Sequence, residues 1–469
     1  GNQHEFPSDV FAGEVFSKVA RFFEDTARYK AAIEMYQRAR ELYDVASQSL
    51  AVAEADYSIA RVLTYTAEYK RSEAMLQTAL AIYVREKGDS CVEVGDVRNR
   101  LGALYVLTNQ LKEAELQLQK ALHIRQQHLG ERHSRCGHTL KYMMMLHEAR
   151  RDYVAAKRDG EQALAIVEDA FGRRSPLLSD ILTRLGRIAV AEQRFDDGER
   201  YMKRALSISE GFFGAQHTDT ATVLYELGCF YLVRPERIGD SDAEYSQDIA
   251  EDNLRRALDV RVALYGEQHP DVATVLNRLG ALMVERTEFD EAEKYFSRAY
   301  STRVAMLGKQ HSRVAQTLRH QITCYQLQEK YEEAAACAEQ LIDIETHDKG
   351  EEHPRTVAVL IRVGEIYFLR DGNRSEAGAA ALDKAIAIRK KSLGDDHKQV
   401  RELLELKRSL QIPAPPPVPS LARLGIAAPA TNASANSLFS DQQEEEEEEE
   451  QRAPPPIDNV RAALLDAIR

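Results

Sequence analysis

The sequence predicts an all-α, right-handed superhelical solenoid of about nine helix hairpins, and three periodic series of residues carry that prediction. Glycines stand at Gly88, Gly130, Gly172, Gly214, Gly266, Gly308, Gly350 and Gly394, in steps of 42, 42, 42, 52, 42, 42 and 44. Small residues run Ala20, Ala60, Gly102, Gly186, Gly228, Gly280 and Gly364, with Met144 and Ile322 filling the two remaining slots. A third series is Ala39, Ala79, Ala121, Ala163, Ala205, Ala257, Ala299 and Ala385, with Leu341 in its slot. One period kept by three independent landmarks marks a repeat, whose units bury their apolar faces against their neighbours.

Inside a unit the apolar spacing is helical. Val272, Val275, Leu276, Leu279, Leu282 and Met283 share one face of a first helix. Ala292, Tyr295, Phe296, Ala299 and Tyr300 share one face of a second, after the polar turn Glu285-Arg286-Thr287-Glu288. The small residue of the first helix lets the second approach closely, so Met144 and Ile322 are expected to push their helices apart or force a different packing. Between units the chain reads Gly-x-x-His-Pro, as in Gly266 to Pro270 and Gly350 to Pro354. Glycine suits a left-handed residue closing one helix, and proline suits the first turn of the next. Histidine recurs there at His133, His217, His269, His311, His353 and His397, once per unit, which reads as structural. His123, His128, His133 and His138 are spaced by five and scatter around a helix, so they suggest no metal site.

Composition bounds the function. The chain has 469 residues and a formal net charge of −13, which argues against a nucleic-acid binder. Five cysteines without a Cys-x-x-Cys pair fit a reducing compartment. No apolar run is long enough to span a bilayer. A phosphate-binding glycine loop and a nucleophile elbow are both absent, so no enzyme and no cofactor are expected.

The motifs Leu101-Gly102-x-x-Tyr105, Phe289-x-Glu291-Ala292 and the recurrent Ala-Leu resemble tetratricopeptide repeats, although the period of 42 exceeds their usual ~34. With the stretch Arg261 to Ala273, they are similar to the repeat array of kinesin light chains. The resemblance covers nearly all of residues 11–410 and departs in one respect: no heptad coiled coil precedes the array. It implies a groove lined by the first helices, with contacts to extended peptides three before and one after the small residue. Those positions are Asn99, Lys141, Thr183, Tyr225, Asn277, Arg319 and Ile361, then Ala103, Met145, Arg187, Cys229, Ala281, Thr323 and Glu365. Asn99 and Asn277 fit the resemblance best, because Asn can bond both N–H and C=O of a peptide backbone. Beside them run Arg100, Arg184, Arg278 and Arg362. These form either a cationic stripe for acidic peptides or salt bridges to the Glu-rich second helices.

The unit from His217 to Gly266 is ten residues longer than its neighbours, and Arg234 to Tyr245 reads as a loop near 234–247. That loop is either a tolerated surface insertion or a lip of the groove, with Ser241 or Tyr245 as a place for regulation.

Residues 1–10 form a flank, 11–410 the solenoid, and 411–457 a proline-rich, acidic linker expected to be disordered. From Ile412 onward lie nine of fourteen prolines and ten acids against four arginines, including the run Glu444 to Glu450. That run reads as a solvated spacer or as a dock for a basic partner. Pro413 to Pro419 and Pro454 to Pro456 favour a polyproline rod, a spacer or a ligand for SH3- or profilin-type grooves. Residues 458–469 place Val460, Ala463, Leu464, Ala467 and Ile468 on one helical face, with Leu465 beside them. The run Arg461 to Arg469 resembles the helix that opens the WASP-homology-2 actin-binding motif, whose second, strand-like half would follow Arg469. The alternative is a helix that folds back on the solenoid.

Together these features predict a non-catalytic scaffold that binds protein peptides in its groove, acidic ones if the arginines form a cationic stripe, and couples them to actin in the cytoplasm at the cytoskeleton. A cargo adaptor for a microtubule motor and a module inhibited by its own tail are the rival readings.

Overall fold

A computed structural model of the chain describes residues 8–26, 28–233 and 242–411. These residues form nineteen α-helices and no strand. The helices fall into two units. The first holds α1 (Ser8–Asp25), α2 (Tyr29–Val45), α3 (Ser49–Tyr65), α4 (Tyr69–Lys87), α5 (Val92–Leu107), α6 (Leu111–Leu129), α7 (Ser134–Ala149), α8 (Tyr153–Phe171), α9 (Leu178–Ala191), α10 (Phe195–Phe213) and α11 (Thr218–Val233). The second holds α12 (Asp242–Tyr265), α13 (Pro270–Glu285), α14 (Phe289–Leu307), α15 (Ser312–Leu327), α16 (Tyr331–Lys349), α17 (Pro354–Asp371), α18 (Glu376–Leu393) and α19 (Lys398–Gln411). The first helix begins at Ser8, three residues ahead of the expected boundary at 11. The expected loop near 234–247 is shorter at its far end, because α12 already starts at Asp242 and takes in Tyr245. Ser241, the linker, and the tail helix with Val460, Leu464, Leu465 and Ile468 lie outside the described residues.

Within each unit, first helices pack on their own second helices, as α5 on α6 and α13 on α14, and each second helix packs in turn on the next first helix. The contact is a small residue against a bulky one. A Cβ on Gly102 would stand 2.5 Å from Leu118 Cγ, and one on Gly280 would stand 2.5 Å from Phe296 Cε1. Met144 and Ile322 do not push their helices apart. Both are fully buried, and the position facing each on the second helix has shrunk instead, to Gly160 and Ala338.

Each junction is closed by a fixed set of groups. The inter-repeat glycines have φ of +82° to +91° and, as at Gly130, ψ near +156°. That is the extended mirror region open in practice to glycine alone, not the ordinary left-handed turn. The histidines cap the next helix through Nδ1, which accepts the N–H two residues on: 3.2 Å to Asp271 from His269 and 3.1 Å to Arg313 from His311. Pro270 and Pro354 occupy the first helical position beside two of them.

Apart from Gly372 (φ +81°) between α17 and α18, the described turns within hairpins have no glycine at the left-handed position. Asn109 (φ +58°), Arg151 (φ +59°), Gln193 (φ +58°) and Thr287 (φ +61°) supply a left-handed residue, and Gln110 N–H then reaches Tyr105 O at 2.8 Å. The turn after α2 uses Ser47 (φ +55°) in the same way, in place of the Gly-x-x-His junction.

Two further series knit neighbouring repeats. The tyrosine of Leu-Gly-x-x-Tyr donates its hydroxyl proton to a glutamate on the preceding second helix: Tyr105 to Glu73 at 2.8 Å and Tyr231 to Glu199 at 2.7 Å, with Tyr367 doing the same to Glu339. The arginine five before the junction glycine is buried and reaches across it. Arg125 donates to Arg135 O (2.8 Å) and Thr139 Oγ1 (2.7 Å), and Arg303 to Arg313 O (2.6 Å) and Thr317 Oγ1 (3.0 Å).

Candidate functional site: the face of the first helices

The residues singled out for peptide contact fall in two groups. Asn99, Arg100, Lys141, Arg184, Arg187 and Tyr225 lie in the first unit; Asn277, Arg278, Arg319 and Arg362 lie in the second.

In the first unit most of the cations are already paired. Arg184 bonds Asp180 at 3.1 Å and Glu148 of the preceding first helix at 3.0 Å. Lys141 lies 3.4 Å from Asp180, and Arg187 lies 3.4 Å from Glu148 and 3.9 Å from Glu226. Burial opposes the charge on Asp180, but Arg184 and Lys141 outweigh it and hold the carboxyl below its ordinary range. Three cations meet three carboxylates across α7, α9 and α11, so this part of the expected cationic stripe is close to neutral. The partners also differ from the expected ones. Arg184 pairs with first helices, not with the Glu-rich second helices.

Arg100 is the exception. It lies beside Tyr57, Tyr65 and Tyr142 and has no carboxylate within ion-pair distance among the described residues. Its buried Nε lacks a hydrogen-bond partner, as do the Tyr65 hydroxyl and Asn99 Oδ1.

In the second unit Asn277 is only 4 % exposed. Its Nδ2 donates to Thr317 on α15 at 3.2 Å, while its Oδ1 is buried without a partner. Arg362 reaches back to α15, donating to Thr323 Oγ1 (2.7 Å) and Gln326 Oε1 (2.8 Å). Arg319 pairs with the buried Glu345 of α16, a second helix. Burial pushes the Glu285 carboxyl up to about 7, with the nearby Arg278 partly opposing. Burial raises the Glu365 carboxyl above its ordinary value, with Arg362 partly opposing. Tyr225 and Thr183 are buried in the first unit, and Thr183 bonds back to Ser179 O at 2.8 Å.

Sequence reasoning missed the tyrosines around Arg100. Tyr57 and Tyr142 sit in the same register slots as Asn99 and Arg100, one repeat away, and that spacing was the available signal. No group of His, Cys, Asp and Glu able to hold a metal occurs among the described residues. No helix among them is long and apolar enough to cross a membrane.

The sequence model described as tetratricopeptide repeat matches residues 51–127 and 248–303. The first stretch covers α3 to α6 in the first unit and the second runs from α12 into α14 in the second. No curated protein matches the chain. Among solved structures, BtubC (BKLC) from P. vanneervenii is similar at 21 % identity and TM-score 0.44, covering 52 % of this chain and 92 % of its own. A putative kinesin light chain from Podosopora anserina with nearly identical TPR-like repeats is similar at 17 % identity and TM-score 0.40, covering 47 % and 98 %. Aspartyl phosphate phosphatase F from Bacillus subtilis is similar at 14 % identity and TM-score 0.48, covering 64 % and 72 %. The described residues are all-helical, and the tetratricopeptide-repeat model matches a stretch in each of the two units.

Proposed function

We propose that this chain is a non-catalytic scaffold that binds protein segments along the face of its first helices. One observation carries the reading: Asn99 and Asn277, in equivalent slots of different units, each keep a buried side-chain oxygen with no hydrogen-bond partner. A buried unpaired acceptor costs roughly 1–3 kcal/mol. The N–H of an extended peptide would satisfy it. The test places a photo-crosslinking residue at Met145 or Thr323 on first helices, and at exposed Leu116 or Val154 on second helices. Bound peptide should crosslink to the first pair; crosslinking confined to the second pair sinks the reading.

We propose in addition that the segment Asp458 to Arg469 contacts actin through Val460, Leu464, Leu465 and Ile468. The support is sequence alone, the apolar helical face and the likeness of Arg461 to Arg469 to an actin-binding helix. Co-sedimentation of monomeric actin with the chain, lost in Leu464→Asp with Ile468→Asp, is the expected result. A signal unchanged by the double substitution removes this part of the proposal.

A further inference from the structure

Large apolar side chains are exposed unevenly along the chain. Among the described residues, every helix after α1 exposes at most one, as Leu116 on α6 and Leu404 on α19. α1 exposes four: Phe11 at 65 %, Val15 at 45 %, Val19 at 36 % and Phe22 at 61 %. Single exposed apolar residues are ordinary, whereas a contiguous row marks a contact. At about 100° per residue the four fall within an arc of about 80°, one stripe along the helix. The opposite side of α1 is firmly held. A Cβ on Gly13 would stand 2.6 Å from Tyr43 Cε1, and the buried Glu24 accepts from Tyr36 at 3.0 Å and from Arg61 at 2.7 Å.

Register explains the stripe. Counted from the small residue Ala20, the slots of Val15, Val19 and Phe22 correspond to Val97, Leu101 and Leu104 on α5, and to Val275, Leu279 and Leu282 on α13. Those six side chains are all buried, on helices that each pack against the second helix of the preceding repeat. α1 therefore presents an inter-repeat packing face to solvent. A helix at the end of an array stays in water when its outer side is polar. α19 meets that need, exposing Arg401, Glu402, Glu405 and Arg408 around Leu404, and α1 does not.

The stripe also indicates what would cover it. Phe-Val-Val-Phe reads the same in both directions. Laid antiparallel on a second α1, Phe11 of one copy meets Phe22 of the other, and Val15 meets Val19. Glu14 and Lys18, both exposed, run along one edge of the stripe. The two-fold axis brings Glu14 of each copy beside Lys18 of the other, whereas a parallel pair would set like charges together. Head-to-tail stacking would press the stripe onto the charged side of α19.

We propose that α1 pairs antiparallel with α1 of a second copy, joining two chains head to head through Phe11, Val15, Val19 and Phe22. A two-fold contact of this kind closes at two copies. One helix from each copy makes an interface at the small end of those that hold specific complexes, so the dimer is reversible at micromolar concentration. The stripe occupies other slots than Asn99 and Asn277, and the proposal is independent of peptide binding.

The test is sedimentation equilibrium of the full chain from about 1 to about 100 μM, a range that brackets micromolar association. The mass of wild type should rise from one chain toward two. Val15→Asp with Val19→Asp should weaken association at least about a hundredfold, since four apolar side chains leave each dimer contact. Both residues are exposed, so helical content and melting temperature should not change. If they do, Phe11→Ser with Phe22→Ser carries the test from the ends of the stripe. Glu14→Lys should weaken the dimer about tenfold, because the axis repeats each charge pair twice. Adding Lys18→Glu should restore it. Leu464→Asp with Ile468→Asp should leave it intact. A wild type that stays a single chain throughout, or association that survives loss of the stripe, overturns the proposal. So do masses beyond two chains, which mean head-to-tail stacking, and a charge swap that fails to restore pairing. Association abolished by the Leu464 and Ile468 substitutions would give the stripe to the tail and overturns it as well.

Discussion

Met144 on α7 and Gly160 on α8 meet with their sizes exchanged relative to the neighbouring hairpins. A Cβ on Gly160 would stand 2.6 Å from Met144 Sδ and 2.8 Å from Leu185 Cδ2. In the hairpin before, the glycine is on the first helix and the bulky residue, Leu118, is on the second. In the hairpin after, Gly186 meets Met202 in the same sense. Two opposite arrangements thus fill one inter-helix space. Ile322 and Ala338 repeat the exchange in the second unit. Packing density is conserved across the pair, not at either position.

That compensation makes a double-mutant cycle informative. Gly160→Leu should destabilise by about 1–3 kcal/mol through overpacking, and Met144→Gly by about 2–5 kcal/mol through the cavity and the helix propensity lost. Together they rebuild the arrangement of the flanking hairpins, so the double variant should lose much less than the sum. Additive losses in chemical denaturation would show that the two side chains do not share one space.

The repeat was legible because three residue types are forced at fixed places. A backbone near φ +85° and ψ +160° admits glycine almost alone, so Gly88 to Gly394 announce every junction from there on. The hairpin turns were marked only by polarity, because ordinary residues such as Thr287 and Arg151 take the left-handed position. At Met144 the second expectation, a different packing, is what occurs, and its form was not legible because a sequence window sees one helix, while the compensating Gly160 lies on the next. The arginine series left two readings open for a similar reason. Arg100, Arg184 and Arg362 share a register slot, yet their environments are set by residues a repeat away: tyrosines for the first, Glu148 for the second, Thr323 and Gln326 for the third. Register fixes where a side chain starts, and its neighbours decide its charge balance.

Arg303 is 1 % exposed and spans the junction between α14 and α15. Its guanidinium holds Arg313 O, Gln316 Oε1 and Thr317 Oγ1 at 2.6, 2.9 and 3.0 Å. Hydrogen bonds from a charged donor contribute roughly 1.5–3 kcal/mol each, and the loss of several is not additive. Arg303→Met keeps the apolar stem and should cost about 3 kcal/mol. Amide exchange in α14 and α15 should speed up about a hundredfold, at 1.4 kcal/mol per tenfold. Arg303→Lys should recover little, since an ammonium cannot reproduce the planar fork. Exchange rates unchanged by Arg303→Met would remove the junction role.

Thr287 holds φ +61° in the turn between α13 and α14, a conformation costly for a β-branched residue. Asn109 occupies the equivalent turn between α5 and α6 at φ +58°, and asparagine tolerates it far better. Thr287→Asn should therefore stabilise the second unit by roughly 0.5–1 kcal/mol, relieving part of the ~1–2 kcal/mol penalty for a left-handed residue. Thr287→Val should bring no gain. A melting temperature that falls on Thr287→Asn would mean that the threonine hydroxyl has a partner worth more than the strain.

His311 caps α15 with an unprotonated Nδ1 at 3.1 Å from the Arg313 N–H. An imidazolium has no lone pair there, so the cap needs the neutral ring. Burial holds the His311 pKa below its ordinary 6.5, helped by the nearby charges of Arg313 and Arg303 and opposed by Asp348. The folded chain thus binds this proton less readily than the unfolded chain does. The cap's stabilisation is complete above pH 6.5 and is lost as pH falls below that value toward the depressed folded-state pKa. The cap is worth about 1 kcal/mol. His311→Asn retains a capping oxygen that does not titrate. Exchange of α15 amides should accelerate between pH 7 and 5.5 in wild type, after correction for intrinsic rates. In His311→Asn it should not. Equal acid sensitivity in the two proteins would place the titrating group elsewhere.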